Sequence, residues 1–235
     1  LSNVTGRVVY RAVLRRNLRQ QKMIMTKTSL VSFAETKIKE MIINGELSLG
    51  QKLTEDKLAE RFSISTTPVH EALKILATIG LVIVKPRSGT YVSSFTRRDI
   101  ENLNNVRFVI ECEAIRESME RNFKLLCDDL SYNILEAKEV QKKGDTKKYI
   151  ALDKAFHATF FKHADNQFLN ISFASIEARV FTIYNYMIRN YTQEHLEISI
   201  RQHQELERAI RNGQFETARE RLKEHILRIR NYDPS

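Results

Sequence analysis

Apolar residues recur at helical spacing through most of the chain. The first clear run lies in "LVSFAETKIKEMIINGEL", where Val31, Ala34, Ile38, Met41 and Ile42 share one face. Ser32 and Glu35 have the spacing of a capping box, and Asn44-Gly45 closes the run. A shorter helix is predicted in "LTEDKLAERF", with Thr54 as its N-cap and Leu58, Ala59 and Phe62 on its buried side. The stretch "SISTTPVHEALKILATIGL" opens with hydroxyl residues and Pro68, then repeats Val69, Leu73, Leu76 and Ile79 along one face until Gly80. The period then changes. In "LVIVKPRSGTYVSSF", β-branched runs flank the turn formers Lys85-Pro86-Arg87-Ser88-Gly89, which predicts two short strands. Three short helices and a hairpin predict a winged helix-turn-helix over residues 30–95.

From Thr96 the pattern is helical almost to the end. "TRRD" supplies a second capping box, and Leu103, Val106, Ile110 and Ala114 mark the buried face of a long helix. Further helices are predicted at 124–143, 146–164, 167–191, 194–211 and 215–231, punctuated by Gly144-Asp145, Asp165-Asn166 and Asn212-Gly213. The expected fold is mainly α: an N-terminal winged helix-turn-helix, a hinge near 93–98, and an all-α antiparallel helical bundle over 96–235.

Charge changes this picture at one end only. The chain of 235 residues has a formal net charge of +9. Residues 1–29 hold seven basic side chains (Arg7, Arg11, Arg15, Arg16, Arg19, Lys22, Lys27) and no acid, and without them the net charge is +2. This segment is expected to be a flexible basic extension, with an added DNA or membrane contact as the alternative. No apolar run reaches the roughly 18 residues of a membrane span, and no secretory signal is evident, so a cytoplasmic protein without membrane association is expected. Cys112 and Cys127 lack metal-type spacing and read as reduced structural thiols.

In a winged helix the recognition helix enters the major groove by its N-terminal end, here carrying Ser65, Thr66, Thr67 and His70. The wing turn brings Arg87, Ser88 and Gly89 toward the backbone or minor groove. Spacing alone describes a small helical domain with an ordinary hairpin equally well, since residues 30–95 hold eight basic and seven acidic side chains. The whole stretch from "INGELSLGQKLTEDKLAERF" to "RSGTYV", however, resembles the DNA-binding domain of GntR-family bacterial transcription regulators. "TTPVHEAL" and "RSGTYV" match that family's recognition-helix and wing motifs. The resemblance implies binding to double-stranded operator DNA. Members often carry Arg where this chain has Thr66 and His70, and some also where it has Asp56. Threonine and histidine offer shorter contacts than the bidentate guanidinium, so affinity is expected to lean on the wing, the helix termini or the basic tail.

Asp153 and His157 stand four residues apart in "ALDKAFHATF", among apolar neighbours. Alone, the pair fits an i,i+4 hydrogen bond better than a ligand pair. His203 and His225 change the weighing. They lie about 15 Å before and about 18 Å after the turn at Gly213, so an antiparallel hairpin brings them level. Asp153, His157, His203 and His225 together make a set suited to a divalent metal, zinc first, with nickel and manganese as alternatives. His163 and His195 read as surface or hydrogen-bonded residues.

Residues 97–231 resemble the FCD ligand-binding domain of one GntR subfamily. In its metal-binding members Asp-x₃-His is followed by two later histidines, and "DKAFH", "RQHQEL" and "KEHI" match residue by residue. The resemblance implies a small carboxylate effector held at the metal, with Arg107 of "NNVRFVIE" at a position associated with carboxylate recognition. Arg179 is a second effector-binding candidate. It implies a homodimer as well, whose two winged helices would meet a palindromic operator. The expected function is therefore ligand-controlled transcription regulation, not catalysis. The alternatives are a sensor of the metal itself and a metallohydrolase. The latter is disfavoured because "HExxH", a nucleophile elbow and a phosphate-cradling glycine loop are all absent.

Overall fold

The computed structural model describes residues 27–188 and 192–227. The expected basic extension as far as residue 26, and the expected helix ends at 189–191 and 228–231, lie outside these residues. In chain order the elements are α1 (Lys27–Ile43), β1 (Lys52–Leu53), α2 (Glu55–Phe62), α3 (Thr66–Thr78), β2 (Val82–Lys85) and β3 (Gly89–Val92). They are followed by α4 (Arg97–Arg121), α5 (Phe123–Lys142), α6 (Thr146–Ala164), α7 (Gln167–Ile188), α8 (Gln193–Arg211) and α9 (Phe215–Leu227). Two compact units result. The described residues up to Glu40 join Gln51–Tyr91 in one; Met41–Gly50 joins the residues from Val92 onward in the other.

In the first unit, Ala34 and Ile38 of α1, Leu58 and Ala59 of α2, and Val69, Leu73 and Leu76 of α3 are buried. Each large side chain among them contributes about 1.5–3 kcal/mol through lost water contact. Ser32 and Glu35 do not begin α1: the helix already runs at Lys27, and the pair lies on its flank. The sheet has three strands where the sequence predicts two. Its order is β1-β3-β2, with Lys52 opposite Tyr91 and Leu53 opposite Thr90 in antiparallel register. A two-residue strand has no alternation for a pattern to reveal.

In the second unit, the Thr96 hydroxyl accepts from the Asp99 N–H at 3.2 Å, and the Asp99 carboxylate accepts from the Thr96 N–H at 2.9 Å. This reciprocal cap starts α4. Thr96→Ala is expected to cost about 1 kcal/mol, read as a lower denaturant midpoint at unchanged slope.

Helix α6 packs against α4 and α5, α8 pairs with α9 and α5, and α7 lies along α4. Two apolar clusters hold the bundle. One includes Ala114, Ile115, Leu130, Phe156, Phe160, Leu206 and Leu222. The other gathers Ile100, Tyr149, Ile183, Leu196 and Ile200. Between them runs a buried polar layer. Along α4 it is Asn104, Arg107 and Glu111, between Ile100 and Ala114; along α6, Asp153 and His157, between Tyr149 and Phe160; along α8, His203, between Ile200 and Leu206. The buried face of α4 therefore differs from the one its apolar residues mark. Val106 is 47 % exposed, Leu103 and Ile110 are half-buried, and Asn104, Arg107 and Glu111 point inward because the layer needs their charge and hydrogen bonds. No described helix is long and apolar enough to cross a membrane. Cys112 and Cys127 are free thiols.

Candidate metal centre and DNA-reading surface

The periodicity of α6 places Asp153 and His157 on one face, and the turn after Arg211 folds α9 back along α8, bringing His203 and His225 together. One donor atom from each of the four residues lies within 4.8 Å of all the others, and all four side chains are buried. His225 Nε2 stands 3.2 Å from His157 Nε2 and 3.2 Å from His203 Nε2. His203 Nε2 is 3.5 Å from Asp153 Oδ1. The Phe156 ring lies flat against His203, with centroids 3.8 Å apart, and fixes its plane.

The outer nitrogens show what these rings offer. His157 Nδ1 is 2.7 Å from Glu111 Oε2, and a carboxylate only accepts, so Nδ1 carries the proton and Nε2 presents a lone pair. His225 Nδ1 stands 3.2 Å from Gln202 Oε1, another acceptor, which leaves its Nε2 in the same state. Two lone pairs thus face each other at 3.2 Å. Beside them Asp153 Oδ1 is buried with no hydrogen-bond partner. Such a group is stabilised by a cation at its centre. Two nitrogens bound to one zinc at about 2.0–2.1 Å and tetrahedral angles stand about 3.3 Å apart, so the two 3.2 Å nitrogen pairs have that spacing. The donor set, three imidazoles and one carboxylate, suits zinc or another borderline divalent ion.

Glu111 is the member that sequence reasoning missed. Its second oxygen is 2.6 Å from Arg107 Nε, and both side chains are buried. Burial pushes the Glu111 carboxyl up, but Arg107 and His157 beside it outweigh this and hold it below its ordinary value. Asp153 shows the opposite balance, with burial raising it against the pull of His157 and Arg107. A divalent ion would reverse that balance by favouring the ionised form. The signal for Glu111 was in "RFVIE", where Arg107 and Glu111 share the i,i+4 spacing that drew attention to Asp153 and His157. Arg107 is thus joined to the four-residue group through Glu111. Arg179 is not joined to it: its NH2 group donates to Ser175 O at 3.1 Å on its own helix, while its Nε is buried with no hydrogen-bond partner. His163 pairs with Asp129 at 2.8 Å, and His195 accepts from Thr192, both away from the group.

In the first unit, Ser65 takes the N-cap position of α3, and Thr66, Thr67 and His70 are exposed along the helix that follows. His70 Nδ1 meets Glu55 Oε1 of α2 at 2.7 Å. In the wing turn, Ser88 N donates to Lys85 O at 3.0 Å, and Arg87 adopts a φ of 61°, where glycine or asparagine is usual. Gly89 has a φ of 119°, and a Cβ there would stand 3.0 Å from Lys52 Cε. Ser88 Oγ bonds Tyr91 OH at 2.7 Å, and the ammonium of Lys85 lies 4.9 Å from the Tyr91 ring centroid.

A family model for bacterial regulatory proteins of the gntR family matches residues 30–92, and a model for the FCD domain matches residues 102–228. The chain belongs to the GntR-family regulators that carry an FCD domain: it is a DNA-binding regulator with a C-terminal ligand-binding domain, and not an enzyme. It is 26% identical over 203 residues to the uncharacterized HTH-type transcriptional regulator YdhC of Bacillus subtilis, a match covering 83% of this chain and 85% of that one. It is 34% identical over 129 residues to the gluconate operon transcriptional repressor of Bacillus licheniformis, covering 54% and 52% respectively. The solved structure of Escherichia coli McbR/YncC shares the fold, with a TM-score of 0.73 at 23% identity, covering 85% of this chain and 94% of that one.

Proposed function

We propose that this regulator holds operator DNA as a homodimer, and that a small organic acid bound at a divalent metal in the helical bundle sets how tightly it holds. The observation that carries the reading is the buried group of four donors with facing lone pairs and an orphaned carboxylate oxygen, tied through Glu111 to a buried arginine. Asp153, His157, His203 and His225 would hold the metal, zinc before nickel or manganese. The ion supplies a Lewis-acid centre for carboxylate oxygens. Arg107 gives its Nε edge to Glu111, and its NH1/NH2 edge is the fork that meets a carboxylate side-on. The unpartnered Arg179 Nε makes that residue the second candidate for the acid. One relative is named for an operon of gluconate, itself a hydroxylated carboxylate. On the DNA, Ser65, Thr66, Thr67 and His70 would face the major groove, while Arg87, Ser88 and Gly89 would meet the backbone beside it.

Control requires the acid to bind the DNA-competent and incompetent states with different affinity. The test uses metal-loaded protein and an operator selected from random duplexes. A panel of small mono- and dicarboxylates is screened for binding by calorimetry, and each binder is then tested for its effect on operator affinity. At least one binder is expected to shift that affinity by about 5- to 150-fold. If every bound acid leaves it unchanged, control by an organic acid is refuted. If the ion alone produces the shift, the protein is a metal sensor.

A further inference from the structure

His70 is exposed on the face of α3 that also carries Thr66 one turn before it and Lys74 one turn after, and it is held from outside its own helix. Glu55, the first residue of α2, places Oε1 2.7 Å from His70 Nδ1. An ionised carboxylate can only accept, so the hydrogen in this bond belongs to Nδ1. In a neutral imidazole the other nitrogen then has no hydrogen. While the ring is neutral, its ambiguity as donor or acceptor is thereby removed before any DNA is met.

We infer that Glu55 locks His70 as a hydrogen-bond acceptor, so that His70 Nε2 reads an exocyclic amino group in the major groove, the N6 amine of adenine or the N4 amine of cytosine. Those amines are the only base-edge donors the major groove presents; guanine N7 and O6 and thymine O4 all need a donor from the protein. Glu55 is a positioning residue in this arrangement, and His70 makes the base contact. The inference rests on the DNA-reading role proposed for α3 and adds which chemical group that helix selects.

The experiment uses the full-length, metal-loaded protein at about pH 8.5, where imidazoles are neutral. Preferred duplexes are selected from a random pool by wild type, His70→Ala and Glu55→Ala. We expect one base pair per half-site at which wild type discriminates about fivefold or more and both variants lose the preference. At an A·T pair, replacing adenine with purine, which lacks the 6-amino group, or at a G·C pair, replacing cytosine with 2-pyrimidinone, which lacks the 4-amino group, should weaken wild type by the same factor and leave His70→Ala unaffected. A purely structural Glu55 would not change the ring's tautomer, so nitrogen chemical shifts of His70 in the free protein supply a second readout. Nδ1 should be protonated in wild type, and the proton should move toward Nε2 in Glu55→Ala. The inference is overturned if removing the exocyclic amine at the His70-dependent pair leaves wild-type binding unchanged, if Glu55→Ala keeps both the preference and the tautomer, or if His70→Ala flattens no position. Wild type that selects no duplex would overturn the DNA-reading role itself and this inference with it.

Discussion

Alanine at His225 is expected to abolish binding of the divalent ion proposed for the four-donor group. His225 Nε2 lies 3.2 Å from both other imidazoles, so it occupies the centre of the donor group. Losing it would remove one of the four ligands proposed for the ion, which should weaken affinity by more than the roughly 10- to 100-fold typical of an outer-layer change. Competition titration with a chelator of known strength measures this, and elemental analysis after dialysis should fall from one ion per chain to none. His203→Ala should behave in the same way. His163→Ala is the control, because His163 pairs with Asp129 outside the group. One ion per chain retained in His225→Ala would show that the four residues are not its ligands. Far-UV circular dichroism should be preserved, since His225 is not among the residues of either apolar cluster.

Replacing Glu111 should cost both stability and metal affinity, and the two losses can be separated. Glu111→Ala leaves the Arg107 guanidinium buried without its counter-charge, a defect of about 3–5 kcal/mol. It also frees the His157 ring from the bond that sets its tautomer, which should lower metal affinity by about 10- to 100-fold. Glu111→Gln keeps an acceptor oxygen but not the charge, so it should fall between wild type and alanine on both measures. Adding Arg107→Met to Glu111→Ala removes the stranded charge and should recover much of the unfolding free energy while metal affinity stays low. Chemical denaturation of the metal-free proteins gives the first quantity, and chelator competition gives the second. A loss below about 1 kcal/mol in metal-free Glu111→Ala would mean that the pair is hydrated and that its burial does not govern its energetics.

The helices of the bundle and the two halves of its four-donor group were legible because they follow simple periods. Asp153 and His157 obey the i,i+4 rule, and the hairpin at Asn212-Gly213 fixes how far His203 and His225 lie from a common turn. The face of α4 was not legible. Its apolar residues mark a stripe through Val106, yet the helix turns Arg107 and Glu111 inward and leaves Val106 and Val109 in water. A hydrophobic pattern records where oil is favoured, and here a buried charge network outweighed it. The strand β1 was missed for a different reason, since two residues hold no period at all. Glu55 escaped notice because its partner His70 lies fifteen positions away, on another helix.

The assignment of Met41–Gly50 to the helical unit bears on how this protein can be cut. Three chain crossings join the units, at 40/41, 50/51 and 91/92, where a simple tandem would have one. Asn185 of α7 donates to Ile43 O at 2.9 Å, and this bond belongs to the bundle although Ile43 closes the first helix. A chimera spliced at residue 92 would therefore inherit a bundle with ten of its residues exchanged for the donor's, and a truncation there would lose them altogether. Exchanging sensory modules between such regulators calls for carrying the 41–50 segment along with the bundle it belongs to.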